Sequence, residues 1–475
     1  MQPMTNTQTS DFSQGSVSSN ILRLALPMTV AQLINVLYSV VDRMYIGHLP
    51  NAAADALTGI GLTFPIISIV TAFANLFGMG GSPLFSIERG RGHLDKARQI
   101  MGNTFSLLVG TGVVLTAVIL LIKKPLLYAF GASDVTYPYA DGYITIYICG
   151  SVFVMISLGM NQFINAQGFG RKGMMTVLIG AVTNIVLDPI FIFVFGMGVQ
   201  GAALATILSQ FLSAVWAVSF LRGKKALIRI ERPAMKLNPR LVWQILCLGF
   251  SSFVMAITNS IVQVACNSTL QAFGGDLYVG VMTILNSVRE VVSTPINGVT
   301  SAAQPVMGFN YGAQKYRRVR SGILFTTVVC VVYTTAVWLL LLLFPRFFIG
   351  LFSSEEALRE AAVPSMHIYF FGFFMMSLQM AGQSAAVALG RSKQAVFFSL
   401  FRKVIIVTPL TLLLPYLFGL GVTGVFLAEP ISNFIGGGAC YITMLLTIWR
   451  EMVRKERETA PSPDSQQPQP LQSQK

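Results

Sequence analysis

Asp188 stands directly before Pro189 inside NIVLDPIFIF, a run from Asn184 to Phe193 otherwise made of Ile, Val, Leu and Phe. Asn184 precedes it by four residues, so the two share one helix face. Pro189 has no N–H to donate to the carbonyl of Ile185 and its ring crowds that oxygen, which kinks the helix and frees an acceptor one turn away. A carboxylate, an amide and an open carbonyl are oxygen ligands suited to a hard cation such as Na⁺, or to a proton relay.

The elements that must position these groups cross a membrane. The 475-residue chain is 53% hydrophobic and 11% charged, with mean hydropathy +0.65, whereas soluble domains carry about 25% charged residues. Hydropathy and punctuation give twelve spans near 21–47, 56–86, 100–122, 137–166, 173–195, 199–221, 241–271, 277–307, 319–344, 359–388, 394–418 and 422–448. Each is long enough to cross a hydrocarbon core of about 30 Å at about 1.5 Å per residue.

The net charge of +14 could suggest nucleic acid, but the basic residues cluster in short loops after even-numbered spans, as at Arg89 to Arg98, Arg171–Lys172, Arg222 to Arg240, Lys315 to Arg320 and Arg391 to Lys393. Such parity places both termini in the cytoplasm and makes a nucleic-acid partner unnecessary. Lys123 and Lys124 break the pattern and are expected to snorkel. Residues 1–20 are polar, lack Lys and Arg, and do not resemble a cleaved signal peptide. The tail at 450–475 starts basic, ends in Pro, Gln and Ser, and is expected to be disordered. The five cysteines lie singly in apolar segments and are expected to pack without disulfides. With no GxxxxGK[ST], HExxH or GxSxG, the chain is expected to be neither an ATPase nor an enzyme, and to need no cofactor.

The sequence repeats itself. Pro83, Gly90 and Arg98 recur as Pro305, Gly312 and Arg320; Gly170–Arg171 and Pro189 recur as Gly390–Arg391 and Pro409; FGMGVQG at Phe195 recurs as FGLGVTG at Phe418. The expected architecture is therefore an all-α polytopic membrane protein of twelve transmembrane helices in two six-helix lobes. The lobes are 21–221 and 241–449, joined by a basic linker at 222–240. Because six is even, the lobes insert in the same orientation about a pseudo-two-fold axis along the membrane normal, with a cleft between them.

Within this frame Asp188 lies sixteen residues after Lys172, about 24 Å into the membrane. Asp42, nineteen residues after Arg23, reaches a similar depth, as does Thr206 early on span six. Asp42 admits two readings, a member of this pocket or an interfacial acid beside Arg43; Thr206 is a ligand or a helix-packing residue. Displacement by 220 carries Asn184 and Asp188 to Val404 and Thr408, so the kink belongs to both halves and the acid only to the first. The second half has its own outliers, Arg289–Glu290, Arg402–Lys403 and Glu429, the last at the repeat position of Thr206. They are either internal pairs or substrate contacts. Asn161, Gln162, Asn165, Gln167, Gln379 and Gln383 are candidates for lining the cleft. The Met and Phe residues, with Trp216 and Trp338, would furnish an adaptable apolar cavity with faces for cations. Gly78 to Gly81 is expected to permit close helix approach.

The stretches LPMTVAQLINVLYSVVDRMYIGHL, NAQGFGRKGM, NIVLDPIFIF and GAALAT, with the repeated Pro-to-Gly loops, resemble the multidrug and toxic compound extrusion (MATE) family, in the prokaryotic branch that includes MepA-like exporters. The resemblance, over about residues 20–450, implies a V-shaped pair of lobes in a bacterial plasma membrane. It implies export of cationic amphipathic drugs in exchange for H⁺ or Na⁺, by a chain expected to act as a monomer. It also implies a first-lobe coupling site at Asp42, Asn184, Asp188 and Thr206. Glu290, Glu429 and Gln383 match no family motif and stand as candidate substrate or second-lobe contacts. A lipid-linked saccharide flippase is the alternative from the same superfamily, expected to show a more basic cleft. A membrane enzyme or channel is a third.

Overall fold

Hydrocarbon offers backbone groups no partners, so a segment can cross it only as a helix or within a closed barrel. The computed structural model describes residues 11–46, 53–352 and 355–459, and among these there is no strand. The first lobe comprises α1 (Val17–Ile46), the short α2 (Ala53–Gly61), α3 (Phe64–Gly90), α4 (Leu94–Ala129), α5 (Tyr137–Cys149), α6 (Ser151–Ala166), α7 (Gly170–Pro189) and α8 (Gly198–Arg222). The second comprises α9 (Pro239–Gly312), α10 (Tyr316–Leu343), α11 (Pro345–Gly350), α12 (Glu356–Tyr369), α13 (Phe373–Ala388), α14 (Ser392–Leu400), α15 (Thr408–Leu413), α16 (Val422–Ser432), α17 (Gly438–Met444) and α18 (Arg450–Thr459).

Among the described residues, nine helical segments are long and apolar enough to cross alone, and two bent pairs, α5–α6 at 54° and α12–α13 at 51°, add one crossing each. The 74 residues of α9 would extend about 110 Å as one rod. They break at Gly275, whose φ of 63° is outside the helical region, and so form two arms, bringing the described crossings to twelve. Apolar side chains such as Leu121, Val194 and Val264 are 84, 75 and 69% exposed, a belt that suits lipid and not water.

The internal repeat is visible as reciprocal packing between lobes. A Cβ on Gly90 would lie 2.0 Å from the carbonyl oxygen of Phe309, and one on Gly312 would lie 2.0 Å from that of Ile87. Residues 87, 90 and 309, 312 are matched pairs of the repeat, so each half presents the same surface to the other, as an isologous two-fold contact requires. Turn conformation follows the same rule. Gln314, a non-glycine residue with positive φ (58°), occupies the repeat position of Gly92 (φ 80°).

Packing of α3 against the first arm of α9 extends this contact toward the middle of the molecule, where Gly80 and Gly249 meet and Phe73 lies 5.2 Å from Phe253. The lobes are thus closed together over the half that carries the basic loops. Gly78 packs on Gly159 and Gly81 on Thr104, the close approach expected of that run.

One expectation needs correction. Residues 450–459 are helical, not disordered: Arg391 and Lys455 pair with Glu451, and Arg320 with Glu456, which docks α18 on the loop ends. Residues 460–475 lie outside the described chain. Lys123 is paired, its Nζ 2.7 Å from Asp141 Oδ1 and 2.6 Å from Thr145 Oγ1 on α5. The linker at 222–240 packs on the first lobe: Gln167 exchanges two hydrogen bonds with Ile228, and Asn103 binds Ala234, Lys236 and Asn238. The cysteines are free, and two of them are partly or fully exposed.

Candidate functional site

The first polar centre is built on α7. Its regular part ends at Pro189, and Ile190–Val194 continue as a π-helical turn, the local form taken by the expected kink. Asp188 is 0% exposed and Asn184 1%. Asn184 Nδ2 donates to Asp188 Oδ1 at 3.2 Å and reaches Thr206 Oγ1 on α8 at 3.5 Å. The Asp42 carboxyl of α1 lies against that of Asp188. The structure therefore brings together all four residues of the expected constellation. It adds one that sequence reasoning missed: Tyr143 of α5, buried, hydrogen-bonded to Thr206 and close to Asp42. Asn184 Oδ1 and Asp188 Oδ2 are buried with no hydrogen-bond partner among the described residues. Two carboxylates, an amide and hydroxyls form an all-oxygen set that fits a proton or Na⁺. No cluster of three His, Cys, Asp or Glu side chains suited to a transition metal occurs among the described residues.

A second centre occupies the other lobe. Glu429 of α16 is its hub: Oε1 is 2.8 Å from Arg289 Nη2, in contact with Arg402 Nη2, and 3.7 Å from Lys403 Nζ. Arg289 also donates to the Tyr369 hydroxyl at 2.8 Å, and Arg402 to Gln379 Oε1 at 2.8 Å. Simple displacement by 220 pointed to Val404 and Thr408. A π-helical turn at Phe401–Val407, ahead of Pro409, instead shifts the helix face. Arg402 and Lys403 turn inward at 4 and 8% exposure while Val404 is 42% exposed. Glu290, adjacent to Arg289 in sequence, is exposed and makes no ion pair among the described residues. Thr206 and Glu429, and also Tyr147 and Tyr369, are repeat equivalents, so the two centres occupy corresponding places with opposite charge.

Between the lobes lies a cavity of about 610 Å³. Gln32, Asn35 and Val36 of α1 and Met79 of α3 contribute from the first lobe, and the remaining wall is second-lobe, including Glu290, Gln379, Gln383 and all four members of the Glu429 cluster. Gln383 is held by Ser399 Oγ at 2.7 Å and Ser251 Oγ at 3.3 Å. Asp42, Asn184, Asp188 and Thr206 are not on this wall, so the two sites are separate volumes that share α1. Asn161, Gln162, Asn165 and Gln167 do not line it either, and the tryptophans are elsewhere: Trp216 faces Lys172, and Trp338 packs on Phe371 and Phe374. Its apolar part is shared by methionine and valine, with Met255, Met282, Met376 and Met380 joining Met79 beside Val262, Val407 and Val425.

Twelve crossings in two repeated lobes, with a central cavity and one polar centre per lobe, define a two-lobed membrane transporter. The chain belongs to the MatE family, whose model matches residues 27–190 and 251–413, one match in each lobe. It is 24% identical over 450 residues to the multidrug export protein MepA of Staphylococcus saprophyticus, covering 92% of this chain and 95% of that one. It is 24% identical over 447 residues to MepA of Staphylococcus aureus strain NCTC 8325, with the same coverage. Among solved structures, an outward-facing multidrug resistance MATE transporter of the MOP superfamily superposes with TM-score 0.87 at 21% identity, over 95% of this chain and 99% of that one. A MATE transporter in complex with MaD3S gives 0.88 at 22%, with the same coverage. Members of this family are transporters and not enzymes.

Proposed function

We propose that the chain is a secondary active antiporter that exports cationic amphipathic compounds across a bacterial plasma membrane in exchange for H⁺ or Na⁺, acting as a monomer with both termini in the cytoplasm. The observation that carries the coupling site is the contact between Asp42 and a fully buried Asp188 already bonded to Asn184. Two bare carboxylates at such a distance in a dry site repel strongly, so the pair takes up a proton or shares a cation. The basic loops mark the cytoplasmic side, where the lobes are closed together. An outward-facing state with the cation pair accessible from outside fits that closure.

Because the cavity and the acid pair are separate, drug and ion need not compete for the same atoms. Coupling runs through α1, which lines the cavity at Gln32 to Val36 and carries Asp42 two turns further on. Filling the acid pair would let α1 and the π-turned end of α7 draw together and alter the cavity wall. One charge moving through 100 mV supplies about 2.3 kcal/mol, more than a tenfold gradient of a neutral substrate. Support for drugs as cargo comes from the MepA relatives and from the methionine-rich cavity of drug size.

The test is ethidium export from proteoliposomes with a pH or an Na⁺ gradient imposed one at a time. Asp188→Asn and Asp42→Asn, shown to be folded, are expected to lose gradient-driven export by more than tenfold. Export at the wild-type rate by either protein would sink the coupling role.

A further inference from the structure

The second-lobe centre carries more positive charge than its own carboxylate can balance. Glu429 is already taken by two guanidinium groups, Arg289 and Arg402, and the third cation, Lys403, comes no nearer than 3.7 Å to it. That is beyond hydrogen-bond length. The Lys403 side chain is 10% exposed, has no other ion-pair partner among the described residues, and lines the cavity. An ammonium so placed, buried and beyond hydrogen-bond reach of its one carboxylate, is costly unless a closer anion reaches it. Structural pairing alone does not call for this arrangement, since one arginine would neutralise Glu429. Glu290 stands on the same wall, exposed and without an ion-pair partner among the described residues. The wall therefore offers both signs of charge next to apolar methionine surface.

We propose that Lys403 and Arg289 form an anion subsite in the cavity, so that the exported compounds include zwitterionic amphiphiles whose carboxylate docks at Lys403. Glu290 would face the positive end and the methionines the apolar body. This rests on the export reading above and narrows its substrate class. The cavity volume of about 610 Å³ suits a drug-sized molecule. A lipid-linked saccharide, whose diphosphate would also seek basic groups, is far larger.

Rhodamine 123, a cationic methyl ester, and rhodamine 110, the corresponding free acid, share one ring system and differ at the carboxylate. Both dyes are offered to wild-type proteoliposomes under the ion gradient, and the ratio of acid to ester export is measured. Wild type is expected to move the acid at a rate at least equal to the ester, and Lys403→Met to lower the ratio by tenfold or more, with Lys403→Arg recovering it. A wild type that moves the ester and not the acid, or a ratio that stays within twofold in Lys403→Met, overturns the subsite. Fluorescence polarisation of rhodamine 110 with the detergent-solubilised protein is the second arm. If neither dye is transported, yet the acid binds wild type and its affinity falls tenfold in Lys403→Met, the subsite stands and the export reading fails. If the acid does not bind wild type, the subsite fails.

Discussion

Glu429 holds three like charges within reach of one another. Replacing it by Gln keeps shape and hydrogen-bonding capacity while leaving Arg289, Arg402 and Lys403 without the carboxylate that pairs with each of them. Removing one partner of a buried ion cluster costs about 3–5 kcal/mol, because the remaining charge stays desolvated. Glu429→Gln is therefore expected to lower the unfolding midpoint in detergent markedly, and Lys403→Met on that background to restore part of the loss. An unchanged midpoint would mean that the cluster is not charged as drawn. At this scale the first-lobe centre was legible in the sequence, because Asp42, Asn184 and Asp188 are ionisable or amide groups in apolar runs and such groups are expensive there. Tyr143 was not, since tyrosine is at home in a membrane helix and its hydroxyl gains a role only when α5 meets α8. Arg402, Lys403 and Glu429 were legible as outliers, but their association was not: Glu290 looked the natural partner of Arg289 by adjacency, and the π-helical turn that brings Lys403 to Glu429 leaves no mark in residue spacing.

Helix pairs are governed by a handful of glycines, and those of the repeat are the most exacting. A methyl group on Gly90 or Gly312 would sit 2.0 Å from a carbonyl oxygen of the other lobe, and backbone cannot move aside as a side-chain tip can. Overpacking of this kind costs about 1–3 kcal/mol, and here the cost falls on the closed arrangement, because separating the lobe ends relieves it. Gly90→Ala and Gly312→Ala are expected to shift the population toward lobes open at the basic-loop end, and by similar amounts, since the two contacts are repeat equivalents. Spin labels at Asp95 and Arg317 in a cysteine-free background would report it as a longer distance population. A wild-type distance distribution in both proteins, or a shift in only one, would contradict the reciprocal contact. The sequence made Gly90 and Gly312 legible as equivalents but not as mutual neighbours. Matching says that two segments fold alike, whereas only the position of the symmetry axis decides whether they touch. The bends at Gly150 and Gly372, also repeat equivalents, were hidden for a related reason: a continuous apolar run satisfies the length criterion whether or not it is straight.

Closure of the whole molecule also depends on the segment that precedes α1. Phe12, 3% exposed, is wedged between lobes: the guanidinium of Arg89 from α3 lies 5.2 Å from its ring centroid, and the ring of Phe309 from α9 meets it edge-on at 5.8 Å. Its carbonyl accepts from Asn310 Nδ2 at 3.1 Å and Arg318 Nη2 at 2.9 Å, while Arg318 also binds the carbonyls of Gln14 and Gly15. Residues 11–16 thus form a strap whose backbone is fixed to the second lobe and whose aromatic ring is clasped by the first. Separating the lobes at this end must pull the ring from Arg89 or the backbone from Arg318. A cation–π contact is worth about 0.5–2 kcal/mol, and the edge-on pair with Phe309 stays within the second lobe, so Phe12→Ala is expected to weaken closure by about 0.5–2 kcal/mol, a change of roughly 2- to 30-fold in the ratio of closed to open molecules. The backbone bonds to Arg318 survive that substitution, which confines the effect to the clasp between lobes and spares the fold. The same spin-label pair measures it: the open population should grow in Phe12→Ala while the unfolding midpoint moves by no more than a few degrees. A midpoint that falls without any change in the distance distribution would make Phe12 a simple core residue and remove the strap from the transport cycle.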